Sequence, residues 1–505
     1  MVRKTDQEKL NNRLPGAIIG STYTFTDLLW SFVRTGIMLG TCCLMGELWY
    51  LGPLVYLVCF KLYEYVVMHC ILGYGLLSPV DGLIRMDGEK KVCNIIGGIE
   101  LDKIENPHEM QAYLQRKVQF HMRFTAVLTK VMGLEYFKPM TEDEFAAAKD
   151  RIFPILDDVK IKTERDLVDF IEGEIFTRID PTLPPYKWFI VQDYLEGKSL
   201  LIYKYHHSFA DGLGLIGLMA VLADEYDYSN LINQTKALSC GMKLLVFATL
   251  PVTLLMMVAK TIGLKKQDNI LKKPGLVLND DPRCAMSKDC SLTKMKAFCK
   301  AHNMTINTLS YAIIATCLKE YYKAKNDHST DSITVTMPFS FRELPKSPQE
   351  LQMHNDMGTI PIVLPLKPDF LSAIESTRVK LREGLSYFRP HAIYYYLCLI
   401  NELPSYVGYF IIAGLGAKKT GGATSIAGPR KSLTWNGLAT SRLTYVPATF
   451  GDVSNSFAFI SHNDRMKLSW TVDSAVETNP QMMIDIFEKL YDEQIANFKS
   501  PLTKA

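Results

Sequence analysis

The residues best suited to chemistry in this 505-residue chain are two adjacent histidines, His206 and His207, followed closely by Asp211 and Gly212. Histidine titrates near neutrality and can take a proton from an alcohol or an amine. The aspartate can fold back to brace the corner, and the glycine permits a backbone angle that other residues resist. The alternative is a histidine pair at a strand end that only packs.

The flanking sequence predicts how these residues are positioned. Residues 200–205 are typical of a β-strand, 208–212 of a turn, and the apolar segment from Leu213 of a helix. Neighbouring residues of a strand point to opposite faces, so one histidine can face a cleft while the other faces away. The pattern therefore predicts a strand, a tight corner and a helix, with one histidine presented to a cleft.

Composition excludes some classes of protein. The chain has 56 basic and 53 acidic residues, and this even balance argues against a nucleic-acid-binding protein, which needs a concentrated basic face. The 11 cysteines do not combine with histidines at the spacing of a metal site. We therefore expect no metal, and we expect reduced thiols on a protein that faces the cytosol.

Two regions are apolar enough to meet a membrane. Residues 28–75 are broken by a Gly- and Pro-containing segment at 45–53, and each half is near the ~20 residues that cross a bilayer. We expect a helical hairpin in the membrane; the alternative is a buried hairpin of a soluble domain. The shorter run 244–259 has Pro251 at its middle and lysines on both sides. It suits a helix that lies on or dips into the membrane, or equally a core helix.

The rest of the chain shows two α/β patterns. We expect a polar tail and hairpin at 1–75, a first lobe at 76–235, a crossover linker at 236–280 and a second lobe at 281–505. In the first lobe, 76–85 reads as a turn followed by a strand. In the second, a long buried helix at 305–322 precedes a strand at 333–342 that ends at Arg342. We expect two lobes of similar topology with the histidine pair at their interface.

Several short motifs together resemble the wax ester synthase/diacylglycerol acyltransferase family, which belongs to the chloramphenicol-acetyltransferase-like, CoA-dependent acyltransferases. The family's HHxxxDG is intact at 206–212, and its LSxxD, PxSxR and Asn-Gly-rich turn are similar to 77–81, 338–342 and 355–365. Its helical VND motif and its NxPGP corner are matched in part, and the departures are Thr308, Ser425 and Ala427.

The resemblance implies an α/β fold of two lobes with an active-site tunnel between them. It implies an O-acyltransferase that moves a fatty acyl group from acyl-CoA, as co-substrate, to a long-chain alcohol or to diacylglycerol, with no permanently bound cofactor. His207 would act as general base in a direct transfer, helped by His206, and Asp211 would hold the loop against an arginine of the second lobe. The candidate substrate or oxyanion contacts are Asn307, Arg342 and Asn355.

Two other classes of function stay open at this point. One is an acyltransferase of the same fold that acts on a small alcohol or amine, and the other is a non-catalytic lipid-binding protein. A membrane hairpin favours a lipid acceptor, and the intact HHxxxDG argues against a non-catalytic protein. Because acyl-CoA is cytosolic and the first 13 residues carry four Lys or Arg, we expect both ends of the hairpin on the cytosolic side of the endoplasmic reticulum membrane.

Overall fold

The computed structural model describes residues 25–85, 92–157, 160–195, 197–232, 239–386, 389–403, 405–416, 418–447, 449, 451 and 453–498. The basic tail at 1–13 and Pro404 lie outside the described residues. The strands, in chain order, are β1 (Gly75–Leu76), β2 (Asn94–Asp102), β3 (Ala126–Val131), β4 (Leu134–Pro139), β5 (Tyr186–Tyr194), β6 (Lys198–His206), β7 (Pro282–Met286), β8 (Cys290–Ser291), β9 (Ser332–Ser340), β10 (Met357–Pro365), β11 (Gly421–Ala427), β12 (Thr434–Trp435), β13 (Leu438–Val446), β14 (Asn455–His462) and β15 (Arg465–Asp473).

The helices alternate with these strands. In chain order they are α1 (Phe25–Leu44), α2 (Gly52–Tyr63), α3 (Pro79–Ile84), α4 (Pro107–Val118), α5 (Glu142–Ala147), α6 (Lys149–Ile152), α7 (Glu164–Glu174), α8 (Gly212–Leu222), α9 (Cys240–Gly263), α10 (Leu292–Ala301), α11 (Ile306–Ala324), α12 (Phe370–Leu385), α13 (Arg389–Glu402), α14 (Ser405–Gly416) and α15 (Gln481–Tyr491). A π-helical turn, Glu64–Ile71, continues α2, and a 3₁₀ turn, Gly46–Leu51, joins α1 to α2.

The first lobe is built on a five-stranded antiparallel sheet of order β12-β13-β2-β6-β5. Strand β6 lies inside this sheet, and its last residue, His206, pairs with Asn94 of β2. Its aromatic residues Tyr203 and Tyr205 are buried, as is Trp188 of β5. A central, fully packed strand therefore fixes the position at which the histidine corner begins.

The second lobe is built on a seven-stranded mixed sheet of order β10-β9-β11-β14-β15-β7, with β8 paired to β15. Strand β11 runs parallel to both β9 and β14, and the other pairs are antiparallel. The long helix α11 is buried along most of its length, as its apolar sequence predicts.

The second half of the chain contributes two strands to the sheet of the first lobe. These are β12 and β13, and β13 pairs with β2 and completes that sheet. The expected division of the chain at residue 281 did not include this contribution. The residue pattern of a strand shows which of its faces is buried, but it does not show which strand will be its partner. The pattern of β12 and β13 therefore could not assign them to the sheet of the first lobe.

The hairpin expected at 28–75 forms. It contacts β3 and β4, and Lys61 also pairs with Glu402 of α13 in the second lobe at 3.0 Å. Helix α1 and the continuous segment 46–71 are long and apolar enough to cross a membrane. Asp27 at the start of α1 pairs with Lys130 of β3 at 2.7 Å, and the Tyr136 hydroxyl of β4 donates to Glu64 at 3.0 Å. The two ends of the hairpin thus contact the same β3–β4 unit.

One expectation needs correction. The strand expected within 76–85 is helix α3, because Ser78 and Asp81 form a reciprocal capping box and Pro79 occupies the first turn. The run 244–259 is part of a longer, 24-residue helix, α9. Leu244 and Leu255 of α9 are 70% and 72% exposed, so this face of α9 is not part of a core.

Candidate active site

Backbone hydrogen bonds pin the histidine corner to the first lobe. The His207 amide donates to the Cys93 carbonyl at 2.7 Å, and the His206 amide donates to the Pro185 carbonyl at 2.9 Å. Phe209 closes the turn by donating to the His206 carbonyl at 2.8 Å. The corner is therefore held where β2, β5 and β6 meet, rather than on a loose loop.

Asp211 braces this corner and joins it to the second lobe. One carboxylate oxygen caps α8 by accepting from the Gly214 amide at 2.7 Å. The other accepts from the Asp356 amide at 2.9 Å and lies 3.3 Å from Arg342 Nη2. Asp211 and Arg342 are both buried. The pairing of Asp211 with Arg342 that the resemblance implied is present in the structure.

His207 meets the second lobe through Asn355. Its Nδ1 lies 3.1 Å from Asn355 Oδ1. The Asn355 side-chain amide donates at 2.7 Å to the His207 carbonyl and at 2.7 Å to Asp81 Oδ1. Asn355 was expected to contact substrate or an oxyanion, but in this structure it is wholly buried and contacts the histidine itself.

These contacts decide which ring nitrogen of His207 carries the proton. Because Asn355 Oδ1 is an acceptor, the nitrogen that faces it, Nδ1, must donate. Nε2 is then left with a lone pair, which is the form that a general base requires. Burial lowers the pKa of His207 below its ordinary value, although Asn355 and the Asp211 carboxylate oppose this. The ring is therefore neutral at physiological pH.

His206 has a different environment. It is buried, and its Nδ1 accepts from the Ser208 amide at 3.1 Å and lies 2.7 Å from the Ser208 hydroxyl. A backbone donor to Nδ1 places the ring proton on Nε2. His206 thus stabilises the corner, and the half-buried His207 is the member of the pair with an accessible edge.

Two residues to which the sequence reasoning gave no role complete the site. Asp81 accepts from the Asn355 main chain at 2.8 Å and from Arg123 Nη2 at 2.8 Å. Arg123 Nη1 donates to the Ser208 and Phe209 carbonyls at 3.2 and 3.1 Å. Asp81 lies in the LSxxD motif, so the sequence contained a signal that could have identified it. Arg123 lies outside any recognised motif, and no feature of the sequence around it pointed to a role in the site.

Gly212 and Asn307 differ from expectation. The backbone of Gly212 does not adopt a left-handed angle. Glycine is needed there because a β-carbon would lie only 2.8 Å from Ile426 Cδ1 of β11. Asn307, in the first turn of α11, is exposed, and the described contacts of His207 do not include it. Among the described residues no cluster of three His, Cys, Asp or Glu side chains could hold a metal.

Comparisons with known proteins agree with the fold. Residues 354–494 match the family described as the WS/DGAT C-terminal domain. The chain is similar to the wax ester synthase/diacylglycerol acyltransferase from Marinobacter aquaeolei VT8, with 14% identity, a TM-score of 0.56, and coverage of 82% of this chain and 97% of that one. No curated protein matches the chain.

Other solved structures share the fold. A trichothecene 15-O-acetyltransferase from Fusarium sporotrichioides has 12% identity and a TM-score of 0.58, and the match covers 82% of this chain and 94% of the acetyltransferase. The starter condensation domain of rhizomide synthetase in complex with C8-CoA has 12% identity and a TM-score of 0.56, with coverage of 86% and 97%.

The chain therefore has the two-lobed fold of chloramphenicol-acetyltransferase-like acyltransferases and condensation domains. Its C-terminal part matches the WS/DGAT family, which confirms the resemblance inferred from the motifs.

Proposed function

We propose that the protein is a membrane-bound O-acyltransferase that transfers a fatty acyl group from acyl-CoA to the hydroxyl of a lipid, either a long-chain alcohol or diacylglycerol. The observation that carries the proposal is the placement of His207 at the junction of the two lobes, with its Nδ1 3.1 Å from Asn355 Oδ1. With the ring proton on Nδ1, Nε2 is available as a base, and burial favours the neutral ring by lowering the pKa of His207.

The chemistry needs only this base and two substrates. Nε2 of His207 takes the proton of the acceptor hydroxyl while the oxygen attacks the thioester carbonyl of acyl-CoA. The tetrahedral intermediate then expels the CoA thiolate, which the protonated His207 returns to a thiol. The ester C–O bond replaces the thioester C–S bond, so no covalent acyl-enzyme and no metal is required. Holding both substrates between the lobes supplies the proximity that such a direct transfer needs.

A lipid acceptor is supported by the exposed apolar helices. Leu44 of α1, Leu54 of α2 and Leu255 of α9 are 90%, 59% and 72% exposed. Water disfavours such exposed apolar side chains, and a hairpin of spanning length fits a bilayer. Lys265 and Lys266 follow α9 and are exposed, which suits anionic headgroups. We infer that α9 contacts the cytosolic face of the endoplasmic reticulum membrane beside the site.

A second candidate is an acyltransferase that acts on a small alcohol or amine. The fold is as similar to a trichothecene acetyltransferase, at a TM-score of 0.58, as it is to the wax ester synthase, so the fold alone does not distinguish a small acceptor from a lipid. A small, soluble acceptor gives the exposed helices no role, and this places the lipid acceptor first. A non-catalytic lipid-binding protein has no need of a histidine prepared as a base.

One experiment separates these functions. Full-length protein in membranes is incubated with labelled acyl-CoA and with hexadecanol, diacylglycerol or a small alcohol, and the products are resolved by thin-layer chromatography. We expect ester from one of the two lipids, and a 10²–10⁴-fold lower turnover for His207→Ala, which is typical of a lost general base. The exposed His108 provides the matched control, His108→Ala, with wild-type turnover. Normal turnover of His207→Ala at normal expression would refute the base.

A further inference from the structure

The amide of Asn355 has only one orientation that its surroundings allow. Its nitrogen lies 2.7 Å from both Asp81 Oδ1 and the His207 carbonyl oxygen. Both of these atoms are acceptors, so a reversed amide would set its oxygen against two oxygens and lose both hydrogen bonds. The main-chain amide of Asn355 also donates to Asp81, at 2.8 Å. With the side chain wholly buried, water cannot replace these partners.

We propose that Asn355 is the positioning residue of the acyltransferase reaction, an inference that rests on the proposed function. The Asn355 oxygen accepts the Nδ1 hydrogen of His207, which keeps the lone pair on Nε2, and Asp81 keeps the Asn355 amide from turning over. Asn355 touches neither reacting atom, because both substrates meet the opposite nitrogen of the ring. Its contribution is to hold the base in the reactive tautomer and to fix the plane of the ring.

The arrangement also makes the base depend on the docking of the lobes. Asn355 belongs to the connection between β9 and β10 of the second lobe, whereas His207 and Asp81 belong to the first. Arg123 neutralises Asp81 at 2.8 Å and holds the corner through the Ser208 carbonyl. A first lobe on its own would keep the histidine corner but lose the Asn355 oxygen that faces Nδ1. The docking of the two lobes therefore helps to hold His207 as a base.

Several groups surround His207 and set the sign of the expected pH effect. Burial lowers its pKa, whereas a main-chain hydrogen bond of His207 itself, the Asp211 carboxylate, the hydrogen bond to Asn355 and the Asp81 carboxylate raise it. Removing the Asn355 oxygen takes away one of the raising contacts. The imidazolium then becomes less stable, so the acid limb of the rate profile moves to lower pH. A variant that only loosens the fold lowers the rate without moving this limb.

The test measures kcat, KM and the pH profile of kcat/KM for the full chain in membranes. For Asn355→Ala we expect a kcat lower by about 10- to 100-fold, within the range lost with a misplaced catalytic group, with KM for acyl-CoA within about twofold. The acid limb should move to lower pH. Gln349→Ala, an exposed amide in the same connection, is the matched control and should behave as wild type.

A second variant keeps the inference testable if Asn355→Ala does not fold. Asn355→Asp keeps an oxygen towards Nδ1, and its second carboxyl oxygen replaces the amide donor 2.7 Å from Asp81 Oδ1, where one shared proton avoids two adjacent negative charges. Because the hydrogen bond from Nδ1 is kept, the acid limb of Asn355→Asp should stay at the wild-type position, and its kcat should exceed that of Asn355→Ala. An unmoved acid limb or a wild-type kcat for Asn355→Ala, or a moved acid limb for a folded Asn355→Asp, would overturn this inference. Normal activity of His207→Ala would instead overturn the proposed function, and with it the reason for a positioning residue.

Discussion

Replacing Asp211 by alanine should destabilise the protein far more than the loss of a helix cap. The change removes the cap of α8 at Gly214, the bond from the Asp356 amide and the partner of Arg342. Arg342 is 4% exposed, so its charge would remain in the interior. Because these contacts join the corner to the second lobe, the loss falls on the interface that holds the site.

The magnitude follows from the separate contacts. An N-cap aspartate contributes about 1 kcal/mol, and removal of one partner of a buried ion pair costs about 3–5 kcal/mol. Arg342 keeps the carbonyls of Gln352 and His354 as acceptors, which places the second figure at about 3 kcal/mol. We therefore expect Asp211→Ala to lower the free energy of unfolding by about 4 kcal/mol.

Guanidinium unfolding of the full chain in detergent measures this, with Asp369→Ala as the control. Asp369 is an exposed cap of α12 that accepts from the Ser372 amide at 2.7 Å, so its loss should cost about 1 kcal/mol. Adding Arg342→Met to Asp211→Ala removes the buried guanidinium charge and should recover part of the loss. Equal destabilisation by Asp211→Ala and Asp369→Ala would refute the buried-pair argument.

Three further outcomes are expected. Gly212→Ala should lower the free energy of unfolding by about 1–3 kcal/mol, because the added methyl overpacks against Ile426. Ile426→Val removes the contacting methyl and should restore part of this stability. An unchanged free energy of unfolding for Gly212→Ala would contradict the overpacking argument. Burial lowers the pKa of His462 to about 4, below the ~6.5 of an unfolded histidine. The contribution of neutral His462 to stability is therefore complete above pH ~6.5 and is lost as the pH falls towards 4. His462→Gln should flatten the pH dependence of the free energy of unfolding over that window, and an unchanged slope would count against this prediction. Tags at residues 1 and 505 should both be digested by protease on sealed microsomes, and protection of either tag would exclude a hairpin with both ends in the cytosol.

The local parts of the site were predictable from the sequence because local contacts form them. The strand–corner–helix unit around His206 and His207 follows from a strand pattern, a turn and an apolar helix. The hairpin follows from two long apolar segments around a Gly- and Pro-containing break. Helix α3 was equally local, since Ser78 and Asp81 form a capping box, but an alternating apolar pattern was given more weight than the cap.

Gly212 shows a different limit. Glycine next to a corner suggests an unusual backbone angle, but the same residue is also required where another strand approaches closely. The choice between these reasons depends on Ile426, which lies on β11 of the other lobe. No pattern around Gly212 contains that information, so the sequence identified the right residue for the wrong physical reason.

The contacts proposed to hold His207 as a base are those that the sequence could not supply. The HHxxxDG motif provides the histidine and the cap, but Asn355 is 148 positions from His207 and 274 from Asp81. An asparagine that pairs across two lobes has the same local sequence as one that faces solvent, so the exposed Asn307 and the buried Asn355 were candidates on the same footing. The motif therefore identifies the proposed base, and the contact across the lobes supports the tautomer proposed for it. Substitutions outside the motif, at Asn355 or Asp81, should impair catalysis as directly as those within it.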